Sequence, residues 1–288
     1  HRWSNVPAIA CEYPRFAHVA GNMVDTAFGS GIVVLGGAGG KGNRGWDIPL
    51  TRIFVHHNKI EYTALGVNDY GGLSIWQHGP VMSYCNVVGN AVGHWPGGFF
   101  NSGDNNLSYP IYLDGAFKIY NFNNIAWGRP ADRQNPYAST SAAYFNVFGY
   151  MNPLVNNTIS GSAIGVGGTS GNRNDNLGNL FTEVHKEFIS VNHGGNPSLI
   201  GGDDTGKSGI DGAGTLAYAK NIFHGSAEAG VVATVKRGAE KDLQAKTIPQ
   251  LAEQMQEYPV RLGTLGQAVD SSPITTRLPA EQSKPSAS

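Results

Sequence analysis

Apolar residues in this chain come in short runs, each closed by Asn or Gly and followed by a second short run. One phrase recurs: apolar strand residues, then Asn, any residue, a Val, Ile or Phe, and a turn. It reads Asn22-Met23-Val24, Asn58-Lys59-Ile60, Asn86-Val87-Val88, Asn123-Asn124-Ile125, Asn157-Thr158-Ile159, Asn179-Leu180-Phe181 and Asn221-Ile222-Phe223. A Gly- and apolar-rich segment follows each copy, such as Gly31-Ile32-Val33-Val34-Leu35, Gly72-Leu73-Ser74-Ile75-Trp76 and Phe188-Ile189-Ser190-Val191. The copies are separated by roughly 22 to 42 residues, and the shortest interval is the size of one minimal solenoid coil.

Repetition of strand, Asn, turn, strand and loop predicts an all-β right-handed parallel β-helix. Each coil pairs its strands with the coils above and below, and small apolar side chains fill the interior. Asn suits the bend because its amide bonds to backbone and to the next Asn, and because it tolerates the left-handed conformation. These asparagines are expected to hold the fold and not to catalyse. The unequal intervals are loops, which in a solenoid usually fall on one, often binding, face.

The pattern resembles the pectate-lyase-like superfamily of right-handed β-helix proteins over roughly residues 16–233. That resemblance implies the architecture, which hosts lyases, hydrolases, esterases and non-enzymatic tailspikes alike. The expected domains are a β-helix over 1–235 and a cap and tail over 236–288. No Asn occurs after Asn221, and Thr247, Pro249 and the run Leu251-Ala252-Glu253-Gln254-Met255-Gln256 predict a short helix that would cover the open end of the solenoid. Arg277 to Ser288 reads as a Pro/Ser-rich tail. The opening His1-Arg2-Trp3, with no initiator Met, is the start expected of a piece of a longer chain or assembly.

Composition narrows the function. There are 40 Gly and about 25 Asn, only 14% charged residues, and a net charge of −1. Nucleic-acid binding through a basic face is excluded, since counterion release needs clustered Lys and Arg. No apolar run approaches the ~18 residues of a membrane-spanning helix, and no polybasic anchor is present. Cys11 and Cys85 form no metal-ligand spacing; a single disulfide and two buried thiols are both open, and buried thiols are the expected reading, with Cys85 within the apolar run Val81-Met82-Ser83-Tyr84-Cys85.

The longest insertions are Ala91 to Ser108, Gly128 to Ala142 and Gly194 to Thr215. Two acids stand near them. Asp69 precedes the strand Gly72-Leu73-Ser74-Ile75-Trp76, and Asp114 ends Pro110-Ile111-Tyr112-Leu113-Asp114 one coil later, placing Asp114 over Trp76. The pair resembles the two aspartates of β-helical glycoside hydrolases, in which one acid protonates the leaving oxygen and the other attacks or activates water. Asp114, against Trp76 and Tyr112, reads as the acid, and the more solvated Asp69 as the base or nucleophile. Trp76, His78, His94, Trp95, Tyr112 and His193 would line the groove.

His56-His57 lacks a third metal ligand, and no metal site is assigned. The loop Asp203-Asp204-Thr205-Gly206 with Asp211 could hold calcium but lacks EF-hand spacing; a solvated turn is the expected reading and no cofactor is required. The run Gly36-Gly37-Ala38-Gly39-Gly40-Lys41-Gly42 lacks the Gly-Lys-Ser/Thr of a phosphate loop. The expected function is hydrolysis of glycosidic bonds in a polysaccharide or oligosaccharide by an extracellular or periplasmic protein. A polysaccharide lyase acting on uronates, with Arg129 and Arg133 as the clustered cations, and a non-enzymatic binding or structural β-helix are the alternatives.

Overall fold

A computed structural model describes residues 6–36, 39–40, 43–44, 51–65, 70–89, 108–128, 142–149, 151–170, 174, 176–192, 218–219, 221–224, 233–236 and 243–245. Every regular element among them is a β-strand. Three large sheets run side by side, and the chain visits them in turn. Sheet one stacks Ile9–Glu12, Ile32–Leu35, Tyr70–His78, Ser108–Ala116, Ala142–Gly149, Ile164–Ser170, Glu187–Asn192 and Ala233–Lys236 in parallel, and Leu243–Ala245 closes it as an antiparallel edge. Sheet two stacks Arg15–Ala20, Thr51–His56, Val81–Tyr84, Ile119–Phe122, Leu154–Val155, Asn176–Leu177 and Tyr218–Ala219. Sheet three stacks Met23–Asp25, Lys59–Glu61, Val87–Gly89, Ile125–Trp127, Thr158–Ser160, Leu180–Thr182 and Ile222–His224. The arrangement is consistent with a parallel β-helix. The expected helical cap lies outside the described residues.

Period-two alternation decides which side chains enter the interior. Ile32, Leu73, Ile111, Tyr144, Val166 and Ile189 share one inward column of sheet one. Ile60, Val88, Ala126, Ile159, Phe181 and Phe223 share one in sheet three. All of them belong to a single buried cluster. Each large apolar side chain so placed contributes roughly 1.5–3 kcal/mol. Near its middle the interior turns polar: Asn121 donates to the Tyr144 hydroxyl at 3.3 Å, and burial pushes that phenol's pKa far up.

The corner between sheets two and three is the most regular feature. The backbone N–H of each corner Asn donates to Oδ1 of the next, through Asn22, Asn58, Asn86, Asn124, Asn157, Asn179 and Asn221, at 2.8–3.2 Å. The Nδ2 amide reinforces this bond at every step but that from Asn124 to Asn157. From Asn58 onward, Nδ2 also donates to a carbonyl of the preceding coil, as from Asn86 to Val55 at 2.9 Å. The fourth ladder residue is therefore Asn124, one position later than the repeat phrase suggests. The residue before each of the first six ladder asparagines turns the chain with positive φ: Gly21, His57, Cys85, Asn123, Asn156 and Gly178 lie between 53° and 70°.

The other two corners use the same device, with Phe16 and Arg52 in the first residues of sheet-two strands, Lys118 and Met151 just ahead of such strands, and Thr26, Tyr62, Gly161 and Glu183 after sheet three. A side chain in this conformation costs roughly 1–2 kcal/mol. The stacked hydrogen bonds hold it there. Cys85, expected inside a strand, sits at the ladder corner beyond Val81–Tyr84, while Cys11 packs against the core; both are free thiols, half-buried.

Candidate functional site

Insertions are distributed unevenly around the coils. From strands of sheet two to those of sheet three the chain spends two residues at each turn, such as Cys85-Asn86 and Asn156-Asn157. The long segments all adjoin sheet one: 90–107 and 128–141 lead into it, and 193–217 leads out of it. A further departure from sheet one carries the glycine run, where Gly39–Gly40 and Asn43–Arg44 pair as an antiparallel ribbon. Sheet one is thus the sheet that the long connections enter and leave, and its outward face is the candidate floor.

On that floor Asp114 pairs in register with Trp76 of the coil before and Val147 of the coil after. Leu113, its neighbour in the strand, points inward at 0% exposure, and Asp114 is half-buried on the opposite side. The register expected between Asp114 and Trp76 is therefore present. Trp76 stacks on Tyr70 with ring centres 5.3 Å apart. Its Nε1 is buried and has no hydrogen-bond partner among the described residues. An unpaired buried donor costs about 1–3 kcal/mol, so the strand holds an indole whose polar atom contributes nothing to the fold.

Tyr112 lies two positions before Asp114 on the same face. It is 2% exposed and packs with Tyr109 and Phe145 at 5.4 and 6.1 Å, while Tyr109 stacks flat on Phe145 at 4.1 Å. These rings form a second apolar cluster outside the coil interior, completed by Ala142, Val147 and Ile164. Tyr112 is a packing residue beneath the floor and not an open platform on it. Ser74, between Leu73 and Ile75, is buried too; its hydroxyl accepts the Gly71 amide at 2.8 Å.

His78 occupies the end of the strand Tyr70–His78, opposite Ala116, and its side chain is not described. Asp69, His94, Trp95, His193 and the acidic loop Asp203-Asp204 with Asp211 lie outside the described residues, as do Arg129 and Arg133. The structure thus brings together Asp114, Trp76 and the aromatic cluster.

Sequence reasoning passed over a histidine cluster on sheet two. His56 Nδ1 is 2.8 Å from His57 Nδ1, and its Nε2 is 3.5 Å from His18 Nδ1. His56 also stacks on Tyr84 at 4.7 Å, and Tyr84 on Phe122 at 4.9 Å. Desolvation, then the neighbouring His57 and His18, lowers the His56 pKa. The signal lay in strand register, since Ala20 pairs with His56 and His18 with Phe54, and one sequence without coil boundaries does not display it. Of the His56-His57 pair, His57 is exposed. Among the described residues no group of three or more His, Cys, Asp or Glu is placed to hold a metal ion.

Compared with models of known families, with curated proteins and with solved structures, the chain matches none.

Proposed function

We propose that the protein is a carbohydrate-active enzyme, a right-handed β-helix of the pectate-lyase-like type, that hydrolyses glycosidic bonds on the outward face of sheet one. The observation that carries this reading is the position of Asp114, directly below Trp76 on the sheet that all the long connections adjoin. Asp114 acts as proton donor to the leaving oxygen, and Asp69 as base or nucleophile. Trp76 bounds the sugar site beside Asp114. His78, His94, Trp95 and His193 serve the same groove from the strand end and the loops. Tyr112 supports the floor by packing.

In the direct course Asp69 takes a proton from the water that attacks the anomeric carbon while the departing oxygen takes the Asp114 proton. In the two-step course Asp69 attacks as the departing oxygen takes that proton, and the water that then frees the sugar from Asp69 gives its proton to the Asp114 carboxylate. The carboxyl separation selects the course: roughly 5–5.5 Å for retention and about 6.5–9.5 Å for inversion.

The test is release of reducing ends from a panel of neutral and acidic polysaccharides by the wild type and by Asp114→Asn and Asp69→Asn. Loss of about 10²–10⁴ in kcat for each variant supports the reading. Full activity in both variants sinks it. Appearance of an unsaturated, ultraviolet-absorbing product would move the reaction to a lyase, and tight binding without turnover would make the protein a glycan-binding β-helix.

A further inference from the structure

The start of sheet two gathers three imidazoles on its outward side. His18 pairs in register with Phe54, and His56, two residues further along that strand, pairs with Ala20. Ala20 carries only a methyl group, so the space beside His56 is left to the ring of His18, which meets it edge to face with centres 5.7 Å apart. Aromatic neighbours hold both rings: His18 stacks on Phe54 and His56 on Tyr84, each at 4.7 Å. His57, at the ladder corner with φ 55°, turns back so that its Nδ1 lies 2.8 Å from His56 Nδ1.

The two nitrogen-to-nitrogen distances at His56 are of different kinds. At 2.8 Å, Nδ1 to His57 is a hydrogen bond of ordinary length. At 3.5 Å, Nε2 to His18 Nδ1 is longer than a good one. That gap matches the spacing of two imidazole nitrogens on a tetrahedral ion, roughly 3.3–3.4 Å for metal–nitrogen bonds of about 2.0–2.1 Å. Proton placement agrees. Neutral His56 has one ring proton, and donating it from Nδ1 to His57 Nδ1 leaves the Nε2 lone pair facing His18. With its own proton on Nε2, His18 turns the Nδ1 lone pair to the same point. A ligating histidine is oriented in this way when its other nitrogen donates to a fixed acceptor.

We infer that His18 Nδ1 and His56 Nε2 bind a divalent transition-metal ion of the zinc class, with His57 orienting His56 and water filling the remaining positions. Two imidazoles without a carboxylate select such an ion over calcium or magnesium, which take oxygen ligands. Among the described residues no third His, Cys, Asp or Glu completes the pair as a ligand. His18 is exposed and His56 half-buried, so the ion sits at the surface with open positions. It ties Arg15–Ala20, the outermost strand of sheet two, to Thr51–His56. Asp114 belongs to another sheet, and binding here is independent of hydrolysis.

The test is Zn²⁺ titration of the intact, chelator-treated protein, followed by calorimetry and by proton–nitrogen correlation spectra of the imidazoles. The expected result is coordination at His18 Nδ1 and His56 Nε2, with the His56 proton held on Nδ1. His18→Gln and His56→Gln should each abolish these shifts. His57→Phe keeps both ligands and should weaken binding about 10–100-fold at the same two nitrogens, whereas His57→Gln, which can still accept from Nδ1, should weaken it less. No shift of His18 or His56 at millimolar Zn²⁺ overturns the inference, as does coordination confined to other histidines. Unchanged binding in His18→Gln, or an equal response to Mg²⁺, overturns it as well. The wild-type spectra alone name the coordinating nitrogens, so failure of a variant to fold leaves the test intact.

Discussion

Asn124 Oδ1 accepts the Asn86 backbone amide at 3.0 Å inside the coil corner, whereas Asn123, one residue earlier, faces solvent at φ 56° and accepts from Asn156 Nδ2 at 2.7 Å. Two identical side chains on successive residues thus belong to different columns. One is buried and accepts hydrogen bonds that nothing else can make, and the other is exposed and forms a bond that water can replace.

Substitution should separate them sharply. Asn124→Ala leaves the Asn86 backbone N–H unpaired in a buried corner, at about 1–3 kcal/mol, and removes one bond of the Asn86 Nδ2 amide, which keeps Val55, so urea unfolding should show a loss of roughly 2 kcal/mol or more. Asn123→Gly keeps the left-handed turn available and should change stability by less than about 1 kcal/mol. Similar losses in both variants would show that the ladder does not run through position 124.

Much of this was legible beforehand, and the limit is instructive. The Asn phrase gave the coil count because its chemistry is periodic and each copy stands before an apolar strand. At Asn123-Asn124 only Asn123 fits the phrase, because Ala126 stands where the other copies carry Val, Ile or Phe, and only pairing with Asn86 shows that Asn124 is the ladder residue. Sheet two is the least readable face: Leu154–Val155 and Asn176–Leu177 are two residues long, too short for alternation to register, and Asn121 and Asn176 point inward where apolar residues are expected. The register of Asp114 with Trp76 was readable because both strands are long. The burial of Tyr112 was not, since it depends on Phe145 from the following coil.

His56 gives the stability a pH dependence of known sign. Its pKa is lowered in the folded protein from an ordinary value of 6.5, so the unfolded chain binds more protons as the pH falls through that range. The contribution is complete above about pH 6.5 and is lost as the pH falls towards the lowered folded value. Thermal unfolding between about pH 7 and 5 should therefore show a decline that His56→Gln makes shallower. An unchanged slope would show that His56 does not contribute. The imidazole is largely exposed, so the effect is a small part of the total acid sensitivity.

Gly165 lies where neighbouring coils come close together. An added Cβ would stand 2.6 Å from the Phe188 carbonyl oxygen and 2.8 Å from the Phe181 ring. Gly165→Ala should cost about 1–3 kcal/mol by overpacking, measured by chemical unfolding. At Gly21 an added Cβ meets nothing within 4 Å, but φ is +70°, so Gly21→Ala should cost about 1–2 kcal/mol through the backbone alone. A neutral Gly165→Ala would mean that neighbouring coils shift freely at this level.

Trp76 separates stability from chemistry. Its Nε1 has no partner among the described residues, so Trp76→Phe retains a ring against Tyr70 and breaks no hydrogen bond there. The melting temperature should move by no more than the equivalent of about 1 kcal/mol. Hydrolysis, under the proposed function, should fall at least about tenfold. A large drop in melting temperature with activity per folded molecule intact would return Trp76 to a purely structural role.

The two-residue turn between sheets two and three has a consequence for how such a chain can diversify. Because each ladder link fixes the rise from one level to the next, lengthening that turn would break a link and tilt every level beyond it. Residues added beside sheet one leave the vertical spacing unchanged. Innovation in this scaffold is therefore channelled to one side, where new sequence can be tried without retuning the column, while the opposite edge keeps the count.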